Sequence, residues 1–178
     1  KRITSTPGIE TGLSFSPDGK ALLYASPRGG RWAVYEARRT RASEPYFYAS
    51  TLITETPVIA NDRQNSGARY SPDGPSIAYL EDRTTLRVRT VASGETRTLL
   101  TDRHIWGTGP NQSFAWSPDG KWILFDLSVP GVAPGEIGLV AADGSGEPVN
   151  LTRSGFNDGD ATWVMGGQAM LWFSNRDG

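Results

Sequence analysis

Apolar residues in this chain come in short runs separated by polar turns. Ala21-Leu22-Leu23-Tyr24, Ile77-Ala78-Tyr79-Leu80, Trp122-Ile123-Leu124-Phe125 and Ala169-Met170-Leu171-Trp172-Phe173 are the most continuous, and each predicts an apolar strand. Trp32-Ala33-Val34-Tyr35-Glu36, Thr85-Leu86-Arg87-Val88-Arg89 and Glu136-Ile137-Gly138-Leu139-Val140 predict third strands, with apolar-polar alternation clearest in the second of them. Thr96-Arg97-Thr98-Leu99-Leu100 and Pro148-Val149-Asn150-Leu151 predict fourth strands, after turns at Ala92-Ser93-Gly94-Glu95 and Asp143-Gly144-Ser145-Gly146. A period of 3.6 residues never persists over a stretch free of glycine and proline, so no helix of consequence is expected.

The strands recur with a fixed punctuation. Ser16-Pro17-Asp18-Gly19 returns as Ser71-Pro72-Asp73-Gly74 and as Ser117-Pro118-Asp119-Gly120, each preceded by an aromatic residue (Phe15, Tyr70, Trp116) and followed by an apolar run. A degenerate fourth copy, Trp163-Val164-Met165-Gly166-Gly167, precedes the last run. Proline sets φ for the second position of a type I turn, aspartate suits the third and glycine takes the left-handed fourth, so each copy is a hairpin turn between the first two strands. Offsets of 55, 46 and 47 residues correspond to one four-stranded propeller blade each. The expected fold is all-β, a β-propeller segment of about three and a half blades: 11–60, 66–101 and 112–152 as blades, 159–178 as the first half of another, and 1–5 as the outer strand of a preceding one. The longer first period comes from an insertion at 38–55 that contains Pro45-Tyr46-Phe47-Tyr48, and a second insertion is expected as a loop at 128–135.

Composition narrows the chemistry. Eighteen Lys and Arg against 19 Asp and Glu leave a net charge of -1, so no positive field favours nucleic acid. Fifteen of the 18 basic residues are arginine, which suits fixed ion pairs and grips on carboxylates. The absence of cysteine excludes disulfides, zinc thiolates and thiol catalysis. No apolar run is long enough to span a membrane, and Lys1-Arg2 leads into polar residues, so no signal peptide is visible.

The repeated aromatic-Ser-Pro-Asp-Gly unit resembles the propeller repeats of TolB, tricorn protease and dipeptidyl peptidase-like enzymes. It lacks the Gly-His and Trp-Asp signatures of WD repeats, and its adjacent Asp-Gly differs from a sialidase Asp-box. Ser14-Phe15-Ser16-Pro17-Asp18-Gly19, Glu44-Pro45-Tyr46-Phe47-Tyr48, Ser128-Val129-Pro130-Gly131, Asn150-Leu151-Thr152-Arg153 and Trp172-Phe173-Ser174-Asn175-Arg176-Asp177-Gly178 resemble the amino-terminal propeller region of bacterial tricorn-like serine peptidases. That resemblance implies a non-catalytic segment that gates or orients peptides for a catalytic domain elsewhere in a longer chain, and a periplasmic or cell-envelope location, with the cytoplasm left open. Its partners would be peptides or proteins and the remaining blades and domains of the parent chain. The alternative is a TolB-like envelope propeller that binds protein partners without catalysis. An oligomer in which a second chain completes the ring is left open as well.

Few residues carry reactive chemistry. His104 is the sole histidine, in the connection Thr101-Asp102-Arg103-His104-Ile105-Trp106, and no Gly-x-Ser-x-Gly elbow occurs, so no catalytic residue, metal site or cofactor is expected. Asp18, Asp73 and Asp119 have a turn role that accounts for them. Asn157-Asp158-Gly159-Asp160 is oxygen-rich, but without a full calcium loop it is read as a solvated turn. Trp116, Trp122, Trp163 and Trp172 are expected in the core between blades. In a propeller the Ser-Pro-Asp-Gly turns share one face, uniform here, while irregular connections gather on the other. Candidate substrate contacts on that second face are Arg63, Arg103, His104 and Arg153 as polar groups and Trp106 and Phe156 as apolar ones. The competing reading pairs these arginines with Asp62, Asp102 and Asp158.

Overall fold

A computed structural model describes residues 3–4, 6–41, 43–101, 104–105, 114–129 and 132–177, apart from the side chains of 104–105, 128–129 and 132–134. Among these the strands form four antiparallel sheets that succeed one another along the chain. The first sheet is β1 (Thr11–Phe15), β2 (Ala21–Ser26), β3 (Ala33–Arg39) and β4 (Ile53–Ile59). The second is β5 (Asn65–Tyr70), β6 (Ser76–Glu81), β7 (Thr85–Thr90) and β8 (Thr96–Leu100). The third holds β9 (His104–Ile105), β10 (Phe114–Trp116), β11 (Trp122–Val129), β12 (Val132–Ala141) and β13 (Val149–Asn150), and the last is the hairpin of β14 (Asp158–Val164) and β15 (Ala169–Ser174). The one helical turn among the described residues is a short 3-10 turn, Met165–Gly167, inside that hairpin.

The Ser-Pro-Asp-Gly turns form as their chemistry dictates. In the first copy the Ser16 hydroxyl donates to Asp18 at 2.6 Å and accepts from the Ala21 amide at 2.9 Å, while the Lys20 amide donates to Asp18 at 3.0 Å. Gly19 closes the turn onto the Ser16 carbonyl with φ at 66°. The third copy repeats the set with Ser117, Asp119, Lys121 and Trp122. In the second copy Pro75 stands where Lys20 and Lys121 stand, so there is no amide to donate to Asp73. The fourth turn departs from the pattern: Met165, Gly166 and Gly167 all take positive φ.

Two apolar layers join the first three sheets. Ala21, Leu23, Val34 and Ile59 pack against Ala68, Tyr70, Ile77 and Tyr79. On the other face of the second sheet Ala78, Leu80, Leu86, Val88 and Leu100 pack against Phe114, Ile123, Phe125 and Val140. Alternation along β6 therefore serves both neighbours: Ile77 and Tyr79 face back, Ala78 and Leu80 face forward. Each such buried side chain contributes roughly 1.5–3 kcal/mol. Polar links repeat at the same level. Trp116 Nε1 donates to the Arg69 carbonyl and Trp163 Nε1 to the Ala115 carbonyl, each at 3.3 Å, so an inner tryptophan ties its sheet to the inner strand of the one before. Tyr70 makes the corresponding tie from the second sheet by donating to the Glu36 carboxylate.

Several expectations are corrected. Residues 128–135 extend a hairpin rather than form a loop: β11 runs to Val129 and β12 starts at Val132, with these two paired. Trp122 is not core; it is 41% exposed on the turn side, where β2 and β6 begin with Ala21 and Ser76, so that face is not uniform. Asp158 is buried at the start of β14 rather than in a solvated turn. Ahead of β1, Ile3 packs on Leu22, Tyr24 and Ala37. The first insertion narrows to a loop at 40–52 whose Phe47 is buried on that same cluster, while Tyr46 and Tyr48 stack on each other in solvent.

Candidate functional site

The inner strands share an irregularity that shapes one end of the sheets. Register shifts by one residue between Thr11 and Ser14, between Ser66 and Arg69, and between Gly159 and Thr162. The residue at each bulge has positive φ: Gly12 at 67°, Gly67 at 73° and Asp160 at 55°. All three stand three residues before the inner aromatic, and a left-handed residue at a bulge ordinarily calls for glycine, with aspartate among the better substitutes. In the third sheet the inner edge of β11 is paired by two strands: Ile105 pairs with Leu127 and Phe114 with Phe125, on either side of Asp126.

Asp126 is out of character for its place. The aligned positions are Ala25, Leu80 and Phe173. Its Oδ2 accepts the Asp160 amide of the next sheet at 2.8 Å, and the Ala161 amide also hydrogen-bonds to this carboxyl. Its Oδ1 is buried without a hydrogen-bond partner among the described residues. Burial pushes the carboxyl up to about 6, against the pull of the two amides and with the charge of Asp160 adding to the rise.

This junction opens into a cleft of about 480 Å³ lined by Asp126 and Leu127 on one wall and Asn157 to Asp160 and Phe173 to Asn175 on the other. Its rim is held by carboxamides: Asn157 Oδ1 accepts the Gly135 amide at 2.9 Å, and the Asn157 amide donates to Asn175 Oδ1 at 2.8 Å. Gly135 allows the close approach, since a Cβ there would lie 3.1 Å from the Asp158 carbonyl. Asp158 is neutralised. Burial alone would raise its carboxyl, but the Ser174 and Ser154 hydroxyls and Arg176, at 3.2 Å, together hold it down to about 2. The exposed Asp160 has no salt bridge among the described residues, and the 76%-exposed Phe173 forms an apolar wall of the cleft.

The antiparallel order places the described candidates Arg63, Arg153 and Phe156 at the same end as this cleft, but none of these three lines it. Arg63 bridges to Asp82 at 3.1 Å, not to Asp62, and sits between the first two sheets. Arg153 donates to the Asn150 carbonyl, and Phe156 is 45% exposed nearby. Arg103 and Trp106 lie outside the described residues, as does the side chain of His104, whose backbone pairs with Ser128 in β9. The residues that do line the cleft announce themselves only when the repeats are aligned: an acid at 126 breaks an apolar column, and an acid at 160 takes the place of glycine.

No family model matches the chain. It is similar to a putative TolB from Agrobacterium tumefaciens, with a TM-score of 0.58 at 19% identity over 83% of this chain and 50% of that one. TolB from Acinetobacter baumannii aligns with a TM-score of 0.59 at 22% identity over 99% of this chain and 46% of that one. The fold is that of a TolB-like β-propeller. In sequence, the propeller is 27% identical over 123 residues to the uncharacterized peptidase YuxL of Bacillus subtilis (strain 168), which is 67% of this chain and 17% of that protein. The propeller thus spans about half the length of the TolB structures and a smaller share of the peptidase. Its four sheets are blades, and the cleft lies between the third and fourth. Among the described residues no helix is long and apolar enough to cross a membrane.

Proposed function

We propose that this chain is the non-catalytic propeller segment of a tricorn-like serine peptidase, gating or orienting peptides for a catalytic domain outside it. The observation that carries this reading is the cleft between the third and fourth blades. Its walls offer what an extended peptide needs: carboxamides and backbone on the rim, an exposed aromatic wall at Phe173, and the exposed carboxylate of Asp160 for an amino terminus or a basic side chain. The similarity to a protein described as a peptidase supports the enzymatic context. In this reading 11–60, 66–101, 112–152 and 159–178 belong to a longer propeller in the cell envelope, and Arg153 and Phe156 flank the route to the cleft.

Binding of labelled peptides to the chain, followed by fluorescence polarisation, tests the proposal. Asp160→Asn keeps a residue that tolerates positive φ and removes only charge, while Phe173→Ala removes the apolar wall. Each should weaken peptide binding about tenfold at unchanged melting temperature. Unaltered binding in both variants contradicts the assignment. The similarity to TolB over nearly the whole chain favours a second reading, an envelope propeller that binds proteins without catalysis. The open reading frame separates the two: a PDZ and peptidase region downstream supports the first, and termination after a complete propeller supports the second.

A further inference from the structure

We propose that Asp126 is a proton-dependent latch between the third and fourth blades, closing the junction in acid and loosening it as the carboxyl ionises. The inference concerns the junction itself and holds whatever the cleft binds.

The geometry is that of a linking group. Asp126 belongs to the face of β11 that looks toward the fourth blade, where sibling blades have Ala25 and Leu80. Its Oδ2 accepts the amide of Asp160, and the amide of Ala161 also hydrogen-bonds to this carboxyl; these are the two residues that the β14 bulge removes from pairing with β15. Those amides would otherwise be unpaired beside a buried surface, so the carboxyl stabilises the bulge and fixes β14 against β11. The position of Gly159 agrees with a close junction, since a Cβ there would lie 3.4 Å from Oδ2.

One oxygen makes the latch sensitive to protons. Oδ1 is buried and has no partner among the described residues, so ionisation leaves charge where nothing compensates it. Protonation at Oδ1 removes that charge and leaves Oδ2 free to accept the Asp160 amide. The surroundings do not supply a cation. β14 contributes Asp160, which repels, and Asp158, which is already paired with Arg176. Glu136 on β12 is engaged by Thr152 and Ser154. β10 has no charged residue, and the sequence between β9 and β10, residues 106–113, contains no ionisable side chain. Among the described residues, His104 on β9 is the further titratable residue on a strand paired with β11.

The sign follows from linkage. A carboxyl raised from 3.8 to about 6 holds its proton in the closed junction after an opened, hydrated one has released it. Closure is therefore favoured in full below about pH 4, weakens as pH rises through 6, and stays at its weaker level above. A shift of this size changes the opening equilibrium by about a hundredfold.

Native-state amide exchange on the full chain measures that equilibrium, with each rate divided by its intrinsic rate. Between pH 4.5 and 7.5 the opening constants of Asp160 and Ala161 should rise about 25-fold, the part of the full change that falls in this window, relative to amides of β6 and β7, and Asp126→Asn should abolish the rise. His104→Gln should leave it in place. A rise absent in the unaltered chain, retained in Asp126→Asn or lost in His104→Gln overturns the latch. If Asp126→Asn does not fold, carboxyl-carbon titration of the unaltered chain decides: a midpoint for Asp126 near 6 supports the proposal, and one near 3.8 overturns it.

Discussion

Gly138 shows how tightly single positions are fixed in this frame. It pairs with Phe125 across β11 and β12, and a Cβ at Gly138 would meet that ring at 2.3–2.7 Å. Phe125 is fully buried between the second and third blades and has no space into which to swing. Gly138→Ala should therefore destabilise the chain by roughly 1–3 kcal/mol, read as a lower urea midpoint at unchanged slope; an unchanged midpoint would show that the ring relocates at little cost. Asp158 sets a pH dependence opposite in sign to that of Asp126. Its carboxyl is held at about 2 by hydroxyls and Arg176 despite burial, so the stability it contributes is present above 3.8 and lost as pH falls toward 2. Replacement by Asn should flatten the acid limb of a melting-temperature profile in that window and lower the profile at neutral pH. A limb that persists would place the acid sensitivity in other carboxylates.

At the scale of strands and turns, what the sequence reveals and what it hides have separate physical causes. Turn and strand positions were legible because Ser-Pro-Asp-Gly satisfies its own hydrogen bonds locally, as the Ser16 and Ser117 networks show. The cleft was hidden because Asp126 and Asp160 are far apart in sequence and meet only when blades pack, and because a carboxylate in a strand reads as solvent-facing until its sibling positions prove apolar. Trp122 misled for the opposite reason: its aromatic character suggests burial, yet its place beside the turn leaves it 41% exposed. The links between blades are testable element by element. Trp163→Phe keeps an aromatic group but removes the hydrogen bond to the Ala115 carbonyl together with part of the indole's packing, and should cost about 1–2 kcal/mol in urea unfolding. Phe47→Ala uncovers Leu22, Tyr24 and Ala37 on the outer face of the first blade and should cost about 3 kcal/mol. A neutral result for Phe47 would mean that the 40–52 loop covers that face without stabilising it.

On the scale of the whole molecule, the blades form a rigid frame whose two ends differ in character. One end gathers the turns between first and second strands, where Pro17 lies 3.7 Å from the Cβ position of Gly74, Pro72 3.8 Å from that of Gly120 and Pro118 3.2 Å from that of Gly167. Repeated contacts of this kind fix the spacing of the blades there. At the opposite end the bulges, the split pairing of β9 and β10 around Asp126 and the connection at 151–157 vary from blade to blade, and the cleft between the third and fourth blades lies among them. Variation on a rigid frame is where recognition resides, and the central claim is that peptides are held in that cleft. Photo-crosslinking of the chain with peptides that carry a reactive benzophenone, mapped by mass spectrometry, tests it most directly. Adducts should fall on residues 126–127, 157–160 and 173–175 and be competed away by unlabelled peptide. Competed adducts confined to the Ser-Pro-Asp-Gly end or to the Tyr46–Tyr48 loop would contradict the account.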